Sequence, residues 1–417
     1  MGYLTKVSQD IKRFLVEEQY RSRDRKANYW IFGEWFGKRC NDNSFFLANF
    51  IAEKHPHIKL YWVACGDADT SKLHKSIQVL KYDSKEAMNA FKRAGVAIMN
   101  QGFIDFSSHG FNYFRGAITV NLWHGVAWKK IGHDKVKKSG FVHILHERIF
   151  DHFEKAEKYI SLSHAYTDVL RTAFHAKDNE IINAGYPRNS LFYSSDWLQK
   201  NRRAIITYLN EKEGMNVSDH TKIILYMPTF RDNPSQMKSL EQLGEDASFL
   251  KWIEENDTII IQKAHFVSQQ RNELQSHKRT KRILTLNDLI PYEALGVADI
   301  LITDYSSCFF DYLILDRPII HFIYDYENYR TADRGVYYDK DDVVCGDAPT
   351  DFEGLKTAII QYIESPLMDS DLREERRKQF IEYESYDACQ KIFDDLYSLA
   401  TSKFGQPEIF TRRISKQ

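Results

Sequence analysis

Along almost the whole chain, short apolar runs rich in β-branched residues alternate with longer stretches whose apolar positions recur every three or four residues. The runs at 29–32, 59–64, 96–99, 118–122 and 159–162 predict five strands in the first half. Those at 223–227, 258–262, 283–286, 300–303 and 318–322 predict five more in the second. Helical periodicity falls between them, at 43–54, 165–174, 240–255, 306–315 and 355–364. Such alternation is the mark of the α/β class, with parallel sheets carrying helices on both faces. Two groups of five strands predict two similar lobes and not one closed barrel.

The alternation is interrupted at 185–194, where Gly-Tyr-Pro-Arg-Asn supplies turn chemistry. That predicts a first lobe over 1–190 and a second over 191–370, entered through a helix near 196–209. Residues 371–417 form a charged tail expected to hold one or two helices. A length of 417 residues fits this division at about 150 residues per domain. Neither an internal repeat nor a low-complexity segment is apparent.

Charge narrows the range of partners. Fifty-seven Lys and Arg stand against 58 Asp and Glu, a net charge of −1 that argues against a general nucleic-acid-binding surface. The cysteines, Cys40, Cys65, Cys308, Cys345 and Cys389, are odd in number, far apart and without a CxxC pair. They read as reduced thiols of a cytoplasmic protein. The first 18 residues mix charge with apolar positions and do not resemble a signal peptide. No run approaches the ~18–20 apolar residues that a spanning helix needs. The expectation is a cytoplasmic protein, attached at most to the surface of a membrane.

Ligands of open α/β sheets bind just beyond the carboxyl ends of strands, and four such ends carry polar clusters. They are Trp123-His124-Gly125 with Lys129-Lys130, Pro228-Thr229-Phe230-Arg231-Asp232, Lys263-Ala264-His265 and Asp304-Tyr305-Ser306-Ser307. Two serines at a helix start offer hydroxyls and unsatisfied N–H groups to a phosphate, though Asp304 or Ser306 could equally be a simple cap. Arg231, Lys263 and His265 at neighbouring strand ends tip the reading toward a diphosphate site. Lys263 and His265, two apart in an extended segment, face the same way, and Arg231 suits bidentate phosphate contact. His124 has the intrinsic pKa of a base for a hydroxyl near neutrality, and Gly125 allows close approach. A structural histidine beneath Trp123 is the competing reading. His133, His143, His146, His152 and His164 read as surface or capping residues.

Other signatures are weak. GxGxxG and GxSxG are absent; Gly33 to Lys38 imitates a phosphate loop with the wrong spacing, and Arg39 stands where Ser or Thr belongs. Asp67-Ala68-Asp69 is a DxD triplet of a kind common in loops. No metal site and no cofactor are assigned.

Taken together, the clusters resemble the CDP-glycerol glycerophosphotransferase family, which includes teichoic-acid primases and polymerases and related capsule polymerases. The resemblance is carried, in order, by NLWHG (121–125) with Lys129-Lys130-Ile131-Gly132, AGYPRN (184–189), YMPTFRDN (226–233), KAHF (263–266), LITDYSSCFFDYLILDRPII (301–320) and YDYENYR (324–330). It implies a GT-B architecture, two Rossmann-like lobes whose parallel sheets face a central cleft. It implies transfer of a polyol phosphate from CDP-glycerol or CDP-ribitol to an acceptor hydroxyl, forming a phosphodiester and releasing CMP. His124 then matches the proposed general base and His265 a second essential histidine. Arg231, Ser306 and Ser307 match diphosphate-holding positions, to which Lys263 and Thr229 are added. Asp304, Asp311 and Tyr292 are candidate nucleotide or ribose contacts, with cytosine assigned to the loop 287–292 on position alone. Gly125 and Lys129 fall on the acceptor side.

Two departures stand out: Val126-Ala127-Trp128 replaces the family's usual TPL, and Phe266 replaces a proline. The first puts acceptor identity in doubt more than reaction type. The family's acceptors imply a glycan or lipid-linked partner at the inner membrane face, and the basic and aromatic stretch 129–148 is a candidate contact with anionic lipid, or simply a solvated helical face. Two rival functions share this cleft. One is a GT-B glycosyltransferase using a nucleotide sugar; the other is a non-catalytic glycan-binding subunit of a capsule assembly complex.

Overall fold

The computed structural model describes residues 3–135, 155–229, 238–263, 280, 282–286, 288–333, 335–383 and 385–407. Twelve strands occur among them, all in parallel pairs, in two sheets. The first sheet holds β1 (Lys26–Phe32), β2 (Lys59–Ala64), β3 (Gln78–Lys81), β4 (Ala94–Met99), β5 (Ile118–Asn121), β6 (Lys158–Ser161) and β7 (Ile181–Asn183). Their order is β3-β2-β1-β4-β5-β6-β7. The second holds β8 (Lys222–Met227), β9 (Thr258–Gln262), β10 (Ile283–Thr285), β11 (Ile300–Thr303) and β12 (Ile319–His321), ordered β10-β9-β8-β11-β12.

Central strands are buried along their length: all six residues of β4 and all five of β9. That is the condition of a parallel sheet with both faces covered by helices. Register aligns the strand ends that matter, with Met99 opposite Asn121 and Thr303 opposite Met227. The carboxyl ends of both sheets open on one cleft, the GT-B arrangement.

β3 and β7 have no counterpart in the hydrophobic pattern. Both are edge strands, and in β3 only Leu80 is buried, so neither shows an apolar run. The helix expected over 240–255 is two pieces, Glu241–Glu245 and Ala247–Glu255. Asp246 breaks it by capping the second piece, accepting the N–H groups of Ser248 and Phe249. The helix expected from 306 starts at Cys308 and lasts five residues before a tight turn at Leu313–Leu315. The tail forms Ser370–Phe380 and Ala388–Phe404. The second of these returns to the first sheet, where Phe393 packs on Trp30 at 5.4 Å between ring centroids. Among the described residues no helix is long and apolar enough to cross a membrane.

Candidate active site

One wall of the cleft is built where β4 and β5 end. After β5 the chain turns through Trp123 (φ +57°) and Gly125 (φ +152°), conformations that side chains rarely adopt. Side chains fix that turn from three directions. Asn121 Oδ1 accepts the Trp123 N–H at 2.9 Å, Asn43 Nδ2 donates to the Trp123 carbonyl at 3.1 Å, and Arg188 Nη1 donates to the His124 carbonyl at 3.1 Å. The turn aims the His124 ring into the cleft between Trp123 and Trp35, whose ring centroids lie 4.4 and 5.4 Å away.

Burial pushes the His124 pKa down to about 4; Asp42 and the Asn100 carbonyl oppose the shift, whereas the positive Arg188 and Lys129 add to it. The imidazole is therefore neutral at pH 7, the state a proton acceptor requires. Its Nδ1 lies 3.1 Å from Gln101 Nε2 and 3.5 Å from the Asn100 carbonyl. A base acting through Nε2 keeps its proton on Nδ1, where the carbonyl can accept it; the Gln101 carboxamide can do so after a half-turn, its two ends being interchangeable.

A second strained turn supports the first. Trp35, Phe36 and Gly37 follow one another at φ +48°, +61° and +73°. Beneath them Asp105, wholly buried, accepts the N–H groups of Phe36, Asn100 and Gln101 at 2.7–2.9 Å. Burial raises its pKa to about 6. Buried Glu34 accepts N–H groups from Asn41, Asp42 and Phe45, and burial together with Asp42 holds its carboxyl well above the usual range. Trp35 Nε1 donates to Asp42 Oδ2 at 2.8 Å. The stretch that imitates a phosphate loop is thus an aromatic turn leading to Arg39, not the start of a helix. The DxD triplet is a local turn in which Asp69 accepts the Ser71 N–H.

The other wall comes from the second sheet. Met227 at the end of β8 and Pro228 just past it, Lys263 after β9, and Ser306 and Ser307 after β11 line a cavity of about 150 Å³, together with Tyr292. From the first wall come Trp35, Arg39, Asp42, His124 and Arg188. The two walls touch: a Cβ on Gly125 would lie 2.5 Å from Ser307 Oγ. Lys263 is 5% exposed, and burial, with Arg39 adding repulsion, lowers its pKa to about 8. Burial likewise lowers Arg39 to about 10. Both cations line the same cavity, where a bound anion would offset part of the desolvation that lowers their pKa values.

His124, Gly125, Lys263, Tyr292, Ser306 and Ser307 therefore meet at one place. Arg231 and His265 lie outside the described residues, as do Asn287 and the 136–148 part of the basic stretch. Of the three candidate nucleotide contacts, Tyr292 and Asp311 line the cavity and Asp304 does not. Asp311 Oδ2 accepts from Arg188 Nη2 at 2.6 Å and its Oδ1 accepts from Asn189 Nδ2 at 2.8 Å. Asp304 is fully buried and its Oδ1 accepts the Thr229 and Tyr305 N–H groups at 2.7 Å each, joining two strand ends from below. Thr229 is buried and does not line the cavity. Lys129 does not line the cavity; its backbone forms an isolated antiparallel bridge with Val336. The Ser-Ser segment precedes a five-residue helix, and Ser306 Oγ accepts the Cys308 N–H at 3.4 Å. Less of any anion attraction then comes from a helix dipole, and more from Lys263 and Arg39. His164 opens the helix His164–Ala173 and pairs with Glu382 at 2.6 Å. His133 stacks on His175.

The sequence reading missed Arg39, Asp42 and Arg188. Arg39 appeared only as a mismatch in a false motif. Arg188 lay in the quoted AGYPRN, where Pro187 and Gly185 drew attention to a boundary.

Residues 16–398 match the family described as CDP-Glycerol:Poly(glycerophosphate) glycerophosphotransferase. The chain belongs to that family. It is 35% identical over 232 residues to a teichoic acid poly(glycerol phosphate) polymerase of Bacillus spizizenii, covering 54% of this chain and 56% of that one. It is 27% identical over 383 residues to a teichoic acid glycerol-phosphate transferase of Staphylococcus aureus, covering 89% of this chain and 93% of that one. The solved wall teichoic acid polymerase TagF shares the fold at a TM-score of 0.76 and 21% identity, over 97% of this chain and 99% of that one. The chain spans about half the length of the poly(glycerol phosphate) polymerases it matches.

Proposed function

We propose that this chain transfers a polyol phosphate, glycerol phosphate in the first instance, from a CDP-activated donor to an acceptor hydroxyl. The observation that carries the reading is that a neutral histidine from one sheet and Lys263, Ser306 and Ser307 from the other line a single cavity, with Gly125 against Ser307. Family membership and the glycerol-phosphate and ribitol-phosphate relatives support the donor class.

In this mechanism the acceptor oxygen gives its proton to His124 as it attacks the phosphorus that bears the polyol. A new P–O bond forms, the P–O bond to the bridging oxygen of the diphosphate breaks, and CMP leaves with the bonding electrons. Lys263 and the serine hydroxyls stabilise charge on the transferred and departing phosphates, with Arg231 and His265 completing that set. The base works with its proton on Nδ1, so Asn100 and Gln101 set its tautomer. Tyr292, packed edge-on against Phe46 at 4.9 Å, offers the donor an aromatic wall.

The acceptor is proposed to be a glycan or lipid-linked polyol phosphate polymer met at the inner face of the membrane. Flotation with anionic liposomes tests the second half of that statement, and absence of salt-sensitive binding removes it. The reaction is tested by supplying CDP-glycerol or CDP-ribitol with a short poly(glycerol phosphate) acceptor and following CMP. Turnover should depend on His124, and the better donor names the polyol. Release of UDP or GDP from nucleotide sugars, or equal turnover by wild type and His124→Ala, would sink the proposal.

A further inference from the structure

Arg188 is an unusual arginine. Its side chain is about one-eighth exposed, and its guanidinium bridges two carboxylates from different halves of the molecule. Nη1 meets Asp42 Oδ1 at 2.7 Å, on the residue that caps the Asn43–Lys54 helix of the first lobe. Nη2 meets Asp311 Oδ2 at 2.6 Å, on the short helix that follows Ser306 and Ser307. The same Nη1 donates to the His124 carbonyl, and the Arg188 backbone N–H donates to Asn43 Oδ1 at 3.2 Å. Asn43 in turn holds the Trp123 carbonyl. Asn189, the next residue, takes the second Asp311 oxygen. Burial works against the cation, but Asp311 and Asp42 more than offset it, so Arg188 stays charged at any working pH.

Trp123 and Gly125 both stand at positive φ, and a turn of that kind persists only where its surroundings over-determine it. Of the three side chains that fix this turn, Asn121, Asn43 and Arg188, the guanidinium of Arg188 is also anchored to the opposite wall through Asp311. We infer that Arg188 is a positioning residue that holds the His124 turn at a fixed distance from the Ser306–Ser307 segment, so that acceptor activation and phosphate capture share one ruler. The inference rests on the function proposed above for His124 and the serines. Another ion pair between the lobes, Lys72 with Glu293 at 3.3 Å, joins partly exposed side chains outside the cavity lining and serves as the control.

The test uses the full chain with CDP-glycerol, a short poly(glycerol phosphate) acceptor and CMP release. Arg188→Lys keeps a cation but cannot span both carboxylates and the carbonyl. Its kcat should fall about 100-fold, the usual penalty for displacement on the order of 1 Å, with KM for CDP-glycerol changed less than about threefold. Histidine NMR adds a readout that a merely structural residue would not move. The groups facing His124 are Asp42, Arg188, Lys129, Gln101 and the Asn100 carbonyl. Arg188→Gln removes one of the two cations and should raise the His124 pKa, whereas Lys72→Ala should leave both readouts at wild type. Should the Arg188 variants fail to fold, Asp311→Asn loosens the far anchor and leaves the carbonyl bond in place. It should lower kcat without moving the His124 titration. A kcat for Arg188→Lys or Asp311→Asn within threefold of wild type overturns the inference while His124→Ala remains inactive; an active His124→Ala overturns the functional reading itself.

Discussion

The two walls of the cleft are made on different principles. The first is strained backbone at positive φ: Trp35, Phe36 and Gly37 held by the buried acids Asp105, Glu34 and Asp42, and Trp123 and Gly125 held by Asn121, Asn43 and Arg188. The second is regular, its side chains standing at the ends of β8, β9 and β11, and what it contributes is charge and hydroxyls. Under the proposed function the first wall carries a proton acceptor, which has to be placed to a fraction of an ångström and so calls for an over-determined wall. The second would hold a diphosphate, multiply charged and tolerant of angle, for which field matters more than precision. Damage to the first wall should therefore appear in kcat, and damage to the second in donor binding.

The largest effect expected is His124→Ala, with a loss of about 10³-fold in kcat and a KM for CDP-glycerol within a few-fold of wild type. Initial-rate kinetics decide it, and a change carried mainly by KM would erase the distinction between the walls. The pH profile sharpens it. With His124 held at about 4, the acid limb of kcat/KM should lie well below the 6.5 of an ordinary histidine. Stability behaves differently. A depressed imidazole supports the fold fully above pH 6.5 and progressively less as pH falls from 6.5 toward 4.

Lys263 gives the next largest effect and the opposite signature. Its ammonium is lost as pH rises through about 8, so donor affinity should fall there. Because the unfolded chain binds that proton up to about 10.5, the buried charge costs stability below pH 8, and the cost fades between 8 and 10.5. The shift corresponds to roughly 3 kcal/mol. Lys263→Met should weaken CDP-glycerol binding 10- to 100-fold by calorimetry and raise the melting temperature of the ligand-free protein at pH 7. A variant that binds poorly and also melts earlier would show that Lys263 holds the fold together and not a ligand.

How much of this was legible beforehand follows from the same contrast. The second wall could be read because it lies where the hydrophobic pattern ends: β8, β9 and β11 are apolar runs, and Lys263 and Ser306 belong to the polar clusters that break the rhythm. His124 was found in the same way, at the end of β5. Arg39 and Arg188 were not, because what gives them meaning is three-dimensional: a left-handed turn after Glu34 in one case, and carboxylates 146 and 123 positions away in the other. The partners of Asp311 and Asp304 were hidden for a related reason: Arg188 and Asn189 lie more than 120 positions from Asp311, and Thr229 lies 75 from Asp304. The edge strands β3 and β7 were invisible because an edge needs little apolar side chain.

Gly125→Ala probes the seam between the walls. Its Cβ would meet Ser307 Oγ at 2.5 Å and Ser307 Cβ at 2.8 Å, so rotating the serine does not clear the contact, and φ +152° disfavours any side chain. A loss of about 10-fold in kcat is expected, with donor KM rising less, because the displaced element is the His124 turn. If KM changes and kcat does not, the serine is the part that yields.

The smallest effect is expected where the lobes are joined outside the cavity. Lys72 and Glu293 pair at 3.3 Å with side chains 56% and 25% exposed, so solvent screens the attraction and ordering two mobile side chains offsets much of the rest. Lys72→Ala should change unfolding free energy by less than about 1 kcal/mol in a denaturant titration, and kcat not at all. The ion pairs at Arg188 are shorter, 2.7 Å to Asp42 and 2.6 Å to Asp311, and there the side chains are largely buried and two carboxylates share one cation. If removing Lys72 slowed turnover as much as altering Arg188, the closure of the lobes as a whole would set the rate, and the local construction of the first wall would lose its special place. If only Arg188 matters, the rate is governed by the few atoms that hold the His124 turn, and the rest of the interface merely keeps the halves together.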